Sequence, residues 1–431
     1  MRPILRIIRA RDDVLKKLVL LMFLCPAVVR GDKLLIYMDG KQTDHLKAYG
    51  VAFWILSHGK DVEWLLNYRG GSFMTDPASE VEKLCRLRGV AYIPISTAEA
   101  NQIYQVIEDN NMEVILLEKS PKIAVYTPPN KEPWDDAVTL ALTYAEIPYT
   151  TLWDTEVLAG QLAKYDWIHL HHEDFSGQYG KFYSMYRTAD WYLQEVAANQ
   201  TEAHKLGFAK VAEEKKAVAR AIKDYVVGGG LLFSMCSATE SIDIAFAADS
   251  ADICDAVFDG DPPDQNYSRK LDYNKTWAFT GFQVFPEPFD HRRSDIDVTF
   301  DRTRWVPNAK ADFFSLFECS AKLDPVPSML VQDHTPAVNG FMGLTTAFRR
   351  SLLKKYVTIL GEIPGQEEVR YIHGNFGKGT WTFLAGHDPE DYEHQIGDPP
   401  TDLALHKNSA GYRLILNNVL FPAARQKERK T

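Results

Sequence analysis

Cys236 lies where a short apolar strand, predicted at 231–235, gives way to the start of a helix. The next residues, Ser237-Ala238-Thr239, are small and polar enough to begin that helix. In such a turn, backbone N–H groups and the positive end of the helix dipole favour the thiolate form of a cysteine. Cys236 is therefore the candidate nucleophile, and a packed core thiol is the alternative interpretation.

His387 follows a second predicted apolar strand, at 380–385, in the run Gly386-His387-Asp388-Pro389-Glu390. A cysteine and a histidine at the ends of two strands of one sheet form the layout of a Cys-His hydrolase, with His387 as the base. We favour Glu390 as the carboxylate that orients this base, with Asp388 and Glu173 as substitutes. A loop histidine that only forms hydrogen bonds is the alternative.

The remaining groups of such a site come from the loop after a strand predicted at 165–170. The N–H of Ser237 and a backbone N–H near Gly177 are the candidate oxyanion hole. The predicted substrate-binding residues combine aromatic faces with hydrogen-bonding groups, which suits a sugar or an amide better than a lipid. They are Glu173, Asp174, Phe175, Gln178, Tyr179, Asp388 and Tyr392.

A rival site lies in the densest group of metal-ligand residue types, His169, His171 and His172. Residues two apart on a strand share a face, so His169 and His171 can present two imidazoles to one metal ion. Glu173 and Asp174 belong to the same cluster, and His387, Asp388 and His394 can be added to it. No HExxH signature occurs in the sequence. The Cys-His interpretation needs neither metal nor cofactor.

Strands and helices alternate along the chain, which predicts parallel strands with right-handed crossovers. Between 33 and 117 this pattern predicts a smaller α/β region, which includes a strand at 62–66. A second run from 122 to 424 predicts a doubly wound parallel sheet of the flavodoxin-like class, with helices at 134–145 and 212–227. The predicted organisation is a signal peptide at 1–31, an N-terminal α/β region at 32–120, a main domain at 121–424 with an inserted lobe at 251–350, and a tail at 425–431.

Lys16 and Lys17 precede an apolar stretch at 18–29, which has the pattern of a signal peptide. We therefore expect an exported, periplasmic protein with no integral membrane segment after cleavage; acylation of Cys25 is the weaker alternative. The formal net charge is −10, which argues against nucleic acid as a partner. The expected partner is a small-molecule or glycan substrate, and the oligomeric state stays open.

The element order within 122–424 resembles that of the class I glutamine amidotransferase-like superfamily, most closely its trehalose-utilisation (ThuA-like) branch. Gly228-Gly229-Gly230 and Gly386-His387-Asp388 carry this resemblance. The resemblance implies a triad in which a glutamate follows the histidine by two residues. Pro389 occupies that position here.

The whole chain also resembles an exported bacterial family known as asparagine synthetase B-like. The stretches at 42–49, 65–72, 235–239 and 386–392 carry this match. Glutamine-dependent asparagine synthetases use a Ser-Gly-Gly-x-Asp-Ser loop for ATP, and this sequence contains none. ATP-driven asparagine synthesis is therefore not supported.

Together these patterns predict an exported cysteine-dependent amidohydrolase, or a related C–N hydrolase, with the triad Cys236, His387 and Glu390. Two other functions stay open at this point. One is a carbohydrate-binding or other ligand-binding protein without catalysis on the same fold. The other is a metal-dependent hydrolase that uses the histidines at 169, 171 and 172.

Overall fold

The computed structural model describes residues 31–128, 136–302, 311–324, 326–341, 343–391 and 398–425. Within these residues, two β-sheets with surrounding helices form a mixed α/β fold. The predicted signal peptide up to residue 30, the substrate-binding candidate Tyr392, the candidate metal ligand His394, and most of the predicted tail lie outside the described residues.

The N-terminal sheet is antiparallel throughout. Its elements are β1 (Lys33–Ile36), α1 (His45–Ser57), β2 (Val62–Leu66), β3 (Ser72–Thr75), α2 (Ser79–Arg88), β4 (Tyr92–Ile95), α3 (Thr97–Asp109) and β5 (Glu113–Leu117). The strand order is β4-β1-β3-β2-β5, and each of these neighbouring pairs is antiparallel.

The prediction of parallel strands with crossovers in this region is therefore wrong. The turn between β2 and β3 contains left-handed residues at Asn67 (φ 61°), Arg69 (φ 50°) and Gly71 (φ 84°). These reverse the chain at once, so β3 pairs back on β2 as a hairpin. The sequence pattern missed β3, which made the passage from β2 to β4 look like a crossover.

The second sheet begins with parallel strands. Its first elements are β6 (Ile123–Tyr126), α4 (Ala137–Tyr144), β7 (Thr150–Leu152), α5 (Asp154–Leu158), β8 (Trp167–Leu170), α6 (Tyr183–Tyr186), α7 (Asp190–Lys205), α8 (Val211–Gly228), β9 (Leu231–Met235) and α9 (Ala238–Ala247). Strands β7, β6, β8 and β9 lie side by side in parallel, and the later strand β15 pairs in parallel with β9.

The same sheet continues beyond β15 with antiparallel strands. The remaining elements are α10 (Ala256–Asp259), α11 (Tyr267–Lys270), α12 (Thr299–Arg302), β10 (Phe313–Leu316), β11 (Ala337–Asn339), β12 (Phe348–Arg349), β13 (Thr358–Glu362), β14 (Glu368–Phe376), β15 (Gly379–Leu384) and α13 (Ala410–Leu420). The sheet runs β11-β10-β13-β14-β15-β9-β8-β6-β7, with β12 paired to β14.

The large sheet is therefore mixed rather than wholly parallel. The two residues Gly377 and Lys378 join β14 to β15, which permits only a hairpin. Gly377 has a φ of 62°, and an added Cβ would lie 2.6 Å from the Cα of Val227. Strands β10, β11 and β12 come from the stretch predicted as an inserted lobe, and they lie in the sheet.

Local signals fix the ends of the helices. Ser96 and Glu99 form a capping box at the start of α3, and Gly229, with a φ of 118°, ends α8. Across the described residues, none of the helices has both the length and the apolar character needed to cross a membrane.

Helix α13 connects the two sheets. Asn417 accepts a hydrogen bond of 2.5 Å from the Tyr49 hydroxyl of α1. The buried Arg413 guanidinium donates to the carbonyls of Gly70 and Met38 in the N-terminal region, at 2.5 and 3.4 Å. One apolar core includes residues of both sheets, such as Trp64 and Tyr371.

Candidate functional site

The structure places Cys236 and His387 at the carboxyl ends of neighbouring parallel strands. Met235 of β9 lies opposite Leu384 of β15. The backbone N–H of Cys236 donates to the carbonyl of Gly386 at 3.0 Å. Both residues therefore lie at the same edge of the large sheet, where ligands bind in α/β folds.

Cys236 occupies a strained turn but is sealed from solvent. Its φ of 52° is left-handed, as in strand-to-helix nucleophile turns. The backbone N–H groups of Ser237 and Leu344 lie near the sulfur and favour its thiolate form. Only 1% of the residue is exposed, and burial raises the pKa of the thiol to about 12 in spite of these N–H groups and the nearby Arg293. The thiol is therefore protonated at neutral pH.

His387 packs against the histidines that follow β8. Its ring centroid lies 4.4 Å from that of His171 and 6.1 Å from that of His172. One ligand atom from each of these three residues can be chosen so that all lie within 4.8 Å of one another. Gly343 covers the other side of His387, where an added Cβ would lie 2.6 Å from the Cβ of His387.

A second group of ligand atoms shares His171 with the first. Nε2 of His169 lies 3.3 Å from Oδ2 of Asp136 and 3.3 Å from Nδ1 of His171. Nδ1 of His171 lies 3.7 Å from Oδ1 of Asp136. The two histidines are fully buried and the aspartate side chain is 14% exposed. We call Asp136, His169 and His171 the buried triad.

Backbone contacts orient the buried triad. Nδ1 of His169 lies 3.2 Å from the carbonyl of Phe233, which can only accept, so this nitrogen carries the proton. The lone pair of a neutral His169 therefore lies on Nε2, which faces Asp136. Although burial opposes ionisation, the nearby His169 and His171 hold the pKa of Asp136 below its ordinary value.

Asp136 is the site residue that sequence reasoning missed. The helix was predicted from residue 134, which would place Asp136 inside it. Instead Asp136 is the N-cap of α4, where Oδ1 accepts from the N–H groups of Val138 and Thr139 at 2.7 and 2.9 Å. An aspartate before an apolar helix is an N-cap signal, and this one follows β6, the neighbour of β8.

A cavity of about 40 Å³ opens next to these histidines. Four of the residues predicted for substrate or oxyanion binding line it, together with His172: Glu173, Asp174, Gly177 and Tyr179. No motif in the sequence indicates the other polar and aromatic side chains of this wall, which are Trp153, Glu195, Asn199 and Lys215.

Glu173 joins this cavity to the buried triad. Its Oε2 accepts from the backbone N–H of His171 at 3.1 Å. Burial, followed by the charge of Asp136, raises the pKa of Glu173 to about 8.

Three other predicted residues have structural contacts. The Ser237 hydroxyl donates to the carbonyl of His172 at 2.9 Å, which fixes the start of α9 against the histidine segment. Phe175 is fully buried and stacks on Tyr126 with ring centroids 5.5 Å apart. Gln178 is buried and donates to the Ser176 hydroxyl at 3.2 Å.

The carboxylates that follow His387 have partners of their own. Asp388 accepts from the Tyr412 hydroxyl at 2.6 Å and from the N–H of Glu390 at 2.8 Å. Oε2 of Glu390 lies 3.1 Å from Nδ1 of His406. Glu390 and His406 line a separate, larger cavity of about 590 Å³, which also borders α13.

No protein-family model matches the chain, and no curated protein matches it. Among solved structures, it is similar to Cytoplasmic Protein STM3548 from Salmonella typhimurium, with 10% identity, 71% of this chain and 100% of that chain covered, and a TM-score of 0.33. Cytoplasmic Protein STM1381 from Salmonella typhimurium LT2 gives 14% identity, 70% and 100% coverage, and a TM-score of 0.34. The GH42 beta-galactosidase Gan42B has 10% identity; the match covers 64% of this chain and 28% of that chain, with a TM-score of 0.26.

Proposed function

We propose that this protein is a metal-dependent hydrolase whose ion is held by the buried triad. The separations of 3.3 Å between the two imidazole nitrogens, and of 3.3 and 3.7 Å from these nitrogens to the two carboxylate oxygens of Asp136, support this proposal most directly. A tetrahedral ion with bonds of about 2.0–2.1 Å keeps its ligand atoms about 3.3 Å apart. Three protein ligands also leave a fourth position for water or substrate, as in catalytic zinc sites.

The donor set favours a transition-metal dication. Two imidazole nitrogens and one carboxylate suit zinc(II), iron(II) or manganese(II). Magnesium and calcium prefer oxygen ligands and fit this set less well. The carbonyl of Phe233 on Nδ1 of His169 supplies the outer contact that fixes the tautomer of a metal-binding histidine. A bound ion of this kind polarises a carbonyl group and lowers the pKa of water.

Residues around the buried triad supply the groups for proton transfer. Glu173 lies beside His171 through the backbone hydrogen bond at 3.1 Å, and its carboxylate lines the small cavity. We assign to it the role of the acid that protonates the leaving group, because its raised pKa leaves it mostly protonated at neutral pH. His172 and His387, grouped with His171, then lie where they can orient the substrate or accept a proton from water.

The proposal predicts a bound metal ion that depends on His171. Protein purified without chelator should contain about one equivalent of a transition metal by elemental analysis. His171→Ala removes a residue common to both ligand groups, so affinity for the metal should fall by about a hundredfold or more. Ammonia release from amides and aminosugars should stop after chelation and return with zinc.

The exposed His204 provides the control, because His204→Ala removes an imidazole far from any ligand group in the described residues. Its metal content and activity should equal those of the wild type. Full activity in protein freed of metal would contradict the proposal. Ligand binding with no hydrolysis under any of these conditions would favour a binding protein without catalysis.

A second candidate function is cysteine-dependent C–N hydrolysis by Cys236. The observation in its favour is the left-handed turn at Cys236, with two backbone N–H groups directed at the sulfur. Its burial and raised pKa argue against it. Cys236→Ala distinguishes the two functions. If Cys236 is the nucleophile, this variant should have no hydrolytic activity; if hydrolysis depends on the metal ion, its activity should equal that of the wild type.

We also propose that residues 121–424 derive from the doubly wound class I glutamine amidotransferase-like fold, and that the chain is exported after cleavage near residue 31. The glycines at 228–230 and the Gly-His-Asp at 386–388 support the first part. The basic and apolar pattern at 16–31 supports the second. N-terminal sequencing of periplasmic protein tests the export.

A further inference from the structure

The small cavity beside the buried triad is lined by more carboxyl groups than its cations neutralise. Glu173, Asp174 and Glu195 line it, with Lys215 as the one Lys or Arg side chain among the lining residues described. We infer that this cavity binds the protonated amino group of an amine-bearing small molecule, with Glu195 as its main ligand. The inference rests on the proposed function only in placing that amine next to a hydrolytic centre.

The cations near the cavity are already paired. Nζ of Lys215 lies 2.5 Å from Oδ2 of Asp154 and donates to the Tyr126 hydroxyl at 3.1 Å. The guanidinium of Arg293 lies 3.5 Å from Asp174 and 3.4 Å from Glu240. Asp174 is therefore balanced by a protein cation.

Glu195 has no ion-pair partner among the described residues, although the charges of Lys215 and Arg293 act on it from a distance and partly oppose the rise in its pKa. It lies on α7, and Asn199, one turn later, lines the same cavity. In the part of the chain that the structure describes, no side chain or N–H donates to the carboxylate of Glu195. Burial, and then the charge of Asp174, raise the pKa of Glu195 to about 7. A half-buried carboxyl group that faces a cavity and has no protein donor is a ready acceptor for an ammonium group.

The size and the wall of the cavity define the ligand further. A volume of about 40 Å³ holds about three water-sized groups, so it admits an ammonium group and its attached carbon but not a whole sugar ring. Trp153 lies in the wall, and Nζ of Lys215, 5.3 Å from its ring centroid, already takes up that aromatic surface. The inferred ammonium group therefore lies against Glu195 rather than against the indole. Because Trp153 and Glu195 are only partly buried, the rest of the ligand can extend towards solvent.

Isothermal titration calorimetry on the full chain tests the inference with D-glucosamine, methylammonium and D-glucose. Glucose carries a hydroxyl group where glucosamine carries its amino group and is otherwise identical. We expect the wild type to bind both amines and to bind glucose at least about tenfold more weakly, since a charge-assisted hydrogen bond contributes that much. Glu195→Gln should weaken glucosamine binding by about tenfold, and Glu195→Asp should weaken it less.

Glu213→Gln is the matched control, because Glu213 is an exposed glutamate on the helix that carries Lys215. It should bind glucosamine as the wild type does. Equal affinity for glucose and glucosamine, or unchanged binding by a folded Glu195→Gln, would overturn the inference. Calcium or magnesium that binds and displaces the amine would also overturn it. If Glu195→Gln fails to fold, the affinities of the wild type for glucosamine and glucose still test whether the cavity binds an amino group.

The two proposals fail separately. Glu195→Gln should keep the metal content of the wild type, because Glu195 is outside both groups of metal ligands. A metal-free wild type that binds glucosamine through Glu195 would overturn the proposed function and support the amine site. A metal-containing enzyme that binds glucosamine no more tightly than glucose would support the proposed function and overturn the amine site.

Discussion

Nε2 of His169 faces the carboxylate of Asp136 and Nδ1 of His171. Because Nδ1 of His169 carries the proton that goes to Phe233, Nε2 offers a lone pair, which either accepts a hydrogen bond from Nδ1 of His171 or binds a metal ion. Chelators distinguish these two arrangements. They should lower the Tm of the purified protein if the buried triad holds a metal ion, and leave it unchanged if the two imidazoles are joined by a hydrogen bond.

The residue scale also shows which parts of the site were predictable. The alternation of His169 and His171 along a strand is visible in the sequence, and so is the turn at Cys236. The burial of the sulfur is not, because the N–H of Leu344 that covers it comes from a distant segment. Asp136 was missed because a helix cap is recognised only when the start of the helix is placed correctly.

Cys236 should resist alkylation in the folded protein. Burial raises the pKa of its thiol to about 12, so little thiolate exists at pH 7. We expect iodoacetamide at pH 7 to leave Cys236 unmodified over an hour in native protein and to modify it fully in urea, as measured by peptide mass spectrometry. Rapid modification of a peptide from the native protein that is absent from digests of Cys236→Ala would support Cys236 as the nucleophile.

At the scale of elements, the predicted positions of strands and helices are largely correct, whereas the directions of the strands are not. The strand predicted at 62–66 and the helix predicted at 212–227 match β2 and α8 closely. A local apolar pattern does not reveal which neighbour a strand pairs with. Short turns form the hairpins β2–β3 and β14–β15. Because of these hairpins, the N-terminal sheet is antiparallel and the large sheet is mixed, where parallel sheets were expected.

Helix α8 carries a buried carboxyl group that should make stability depend on pH. Glu214 is fully buried next to Asp154, and burial raises its pKa to about 8 from 4.5. Between these two pH values, Glu214 keeps its proton in the folded state, whereas the unfolded chain has lost it. The contribution of this group to the free energy of unfolding is therefore complete below pH 4.5 and is lost as the pH rises to about 8.

Glu214→Gln should remove this dependence, because glutamine stays neutral at every pH. Relative to the wild type, the Tm of Glu214→Gln should rise between pH 5 and pH 9 by about 2 °C or more. Glu213→Gln, on the exposed side of the same helix, should follow the wild type. Parallel pH profiles for the wild type and Glu214→Gln would contradict the assignment; differential scanning fluorimetry supplies the measurement.

At the scale of the molecule, α13 contacts both sheets, so we expect them to unfold as one cooperative unit. Arg413 is fully buried, lies 3.5 Å from Asp333, and donates to carbonyls of the N-terminal region. Arg413→Met leaves Asp333 buried without this partner. We expect a loss of about 3–5 kcal/mol in the free energy of unfolding.

Urea unfolding followed by tryptophan fluorescence and by far-UV circular dichroism measures this loss. Both probes should shift together, since Trp64 and Trp381 lie in different sheets. The exposed Arg425 provides the control, and Arg425→Met should change little. Two separate transitions in the wild type would show that the sheets unfold independently.

The pairing of β9 with β15 joins segments separated by the whole stretch 236–378. As the chain leaves the ribosome, Asp136, His169 and His171 emerge long before β15 and His387. Until β15 arrives, β9 has an unpaired edge, and α13, which holds the sheets together, follows later still. We therefore expect a nascent chain that ends before residue 379 to stay bound to chaperones and to capture metal poorly. The acquisition of metal would then mark the completion of synthesis.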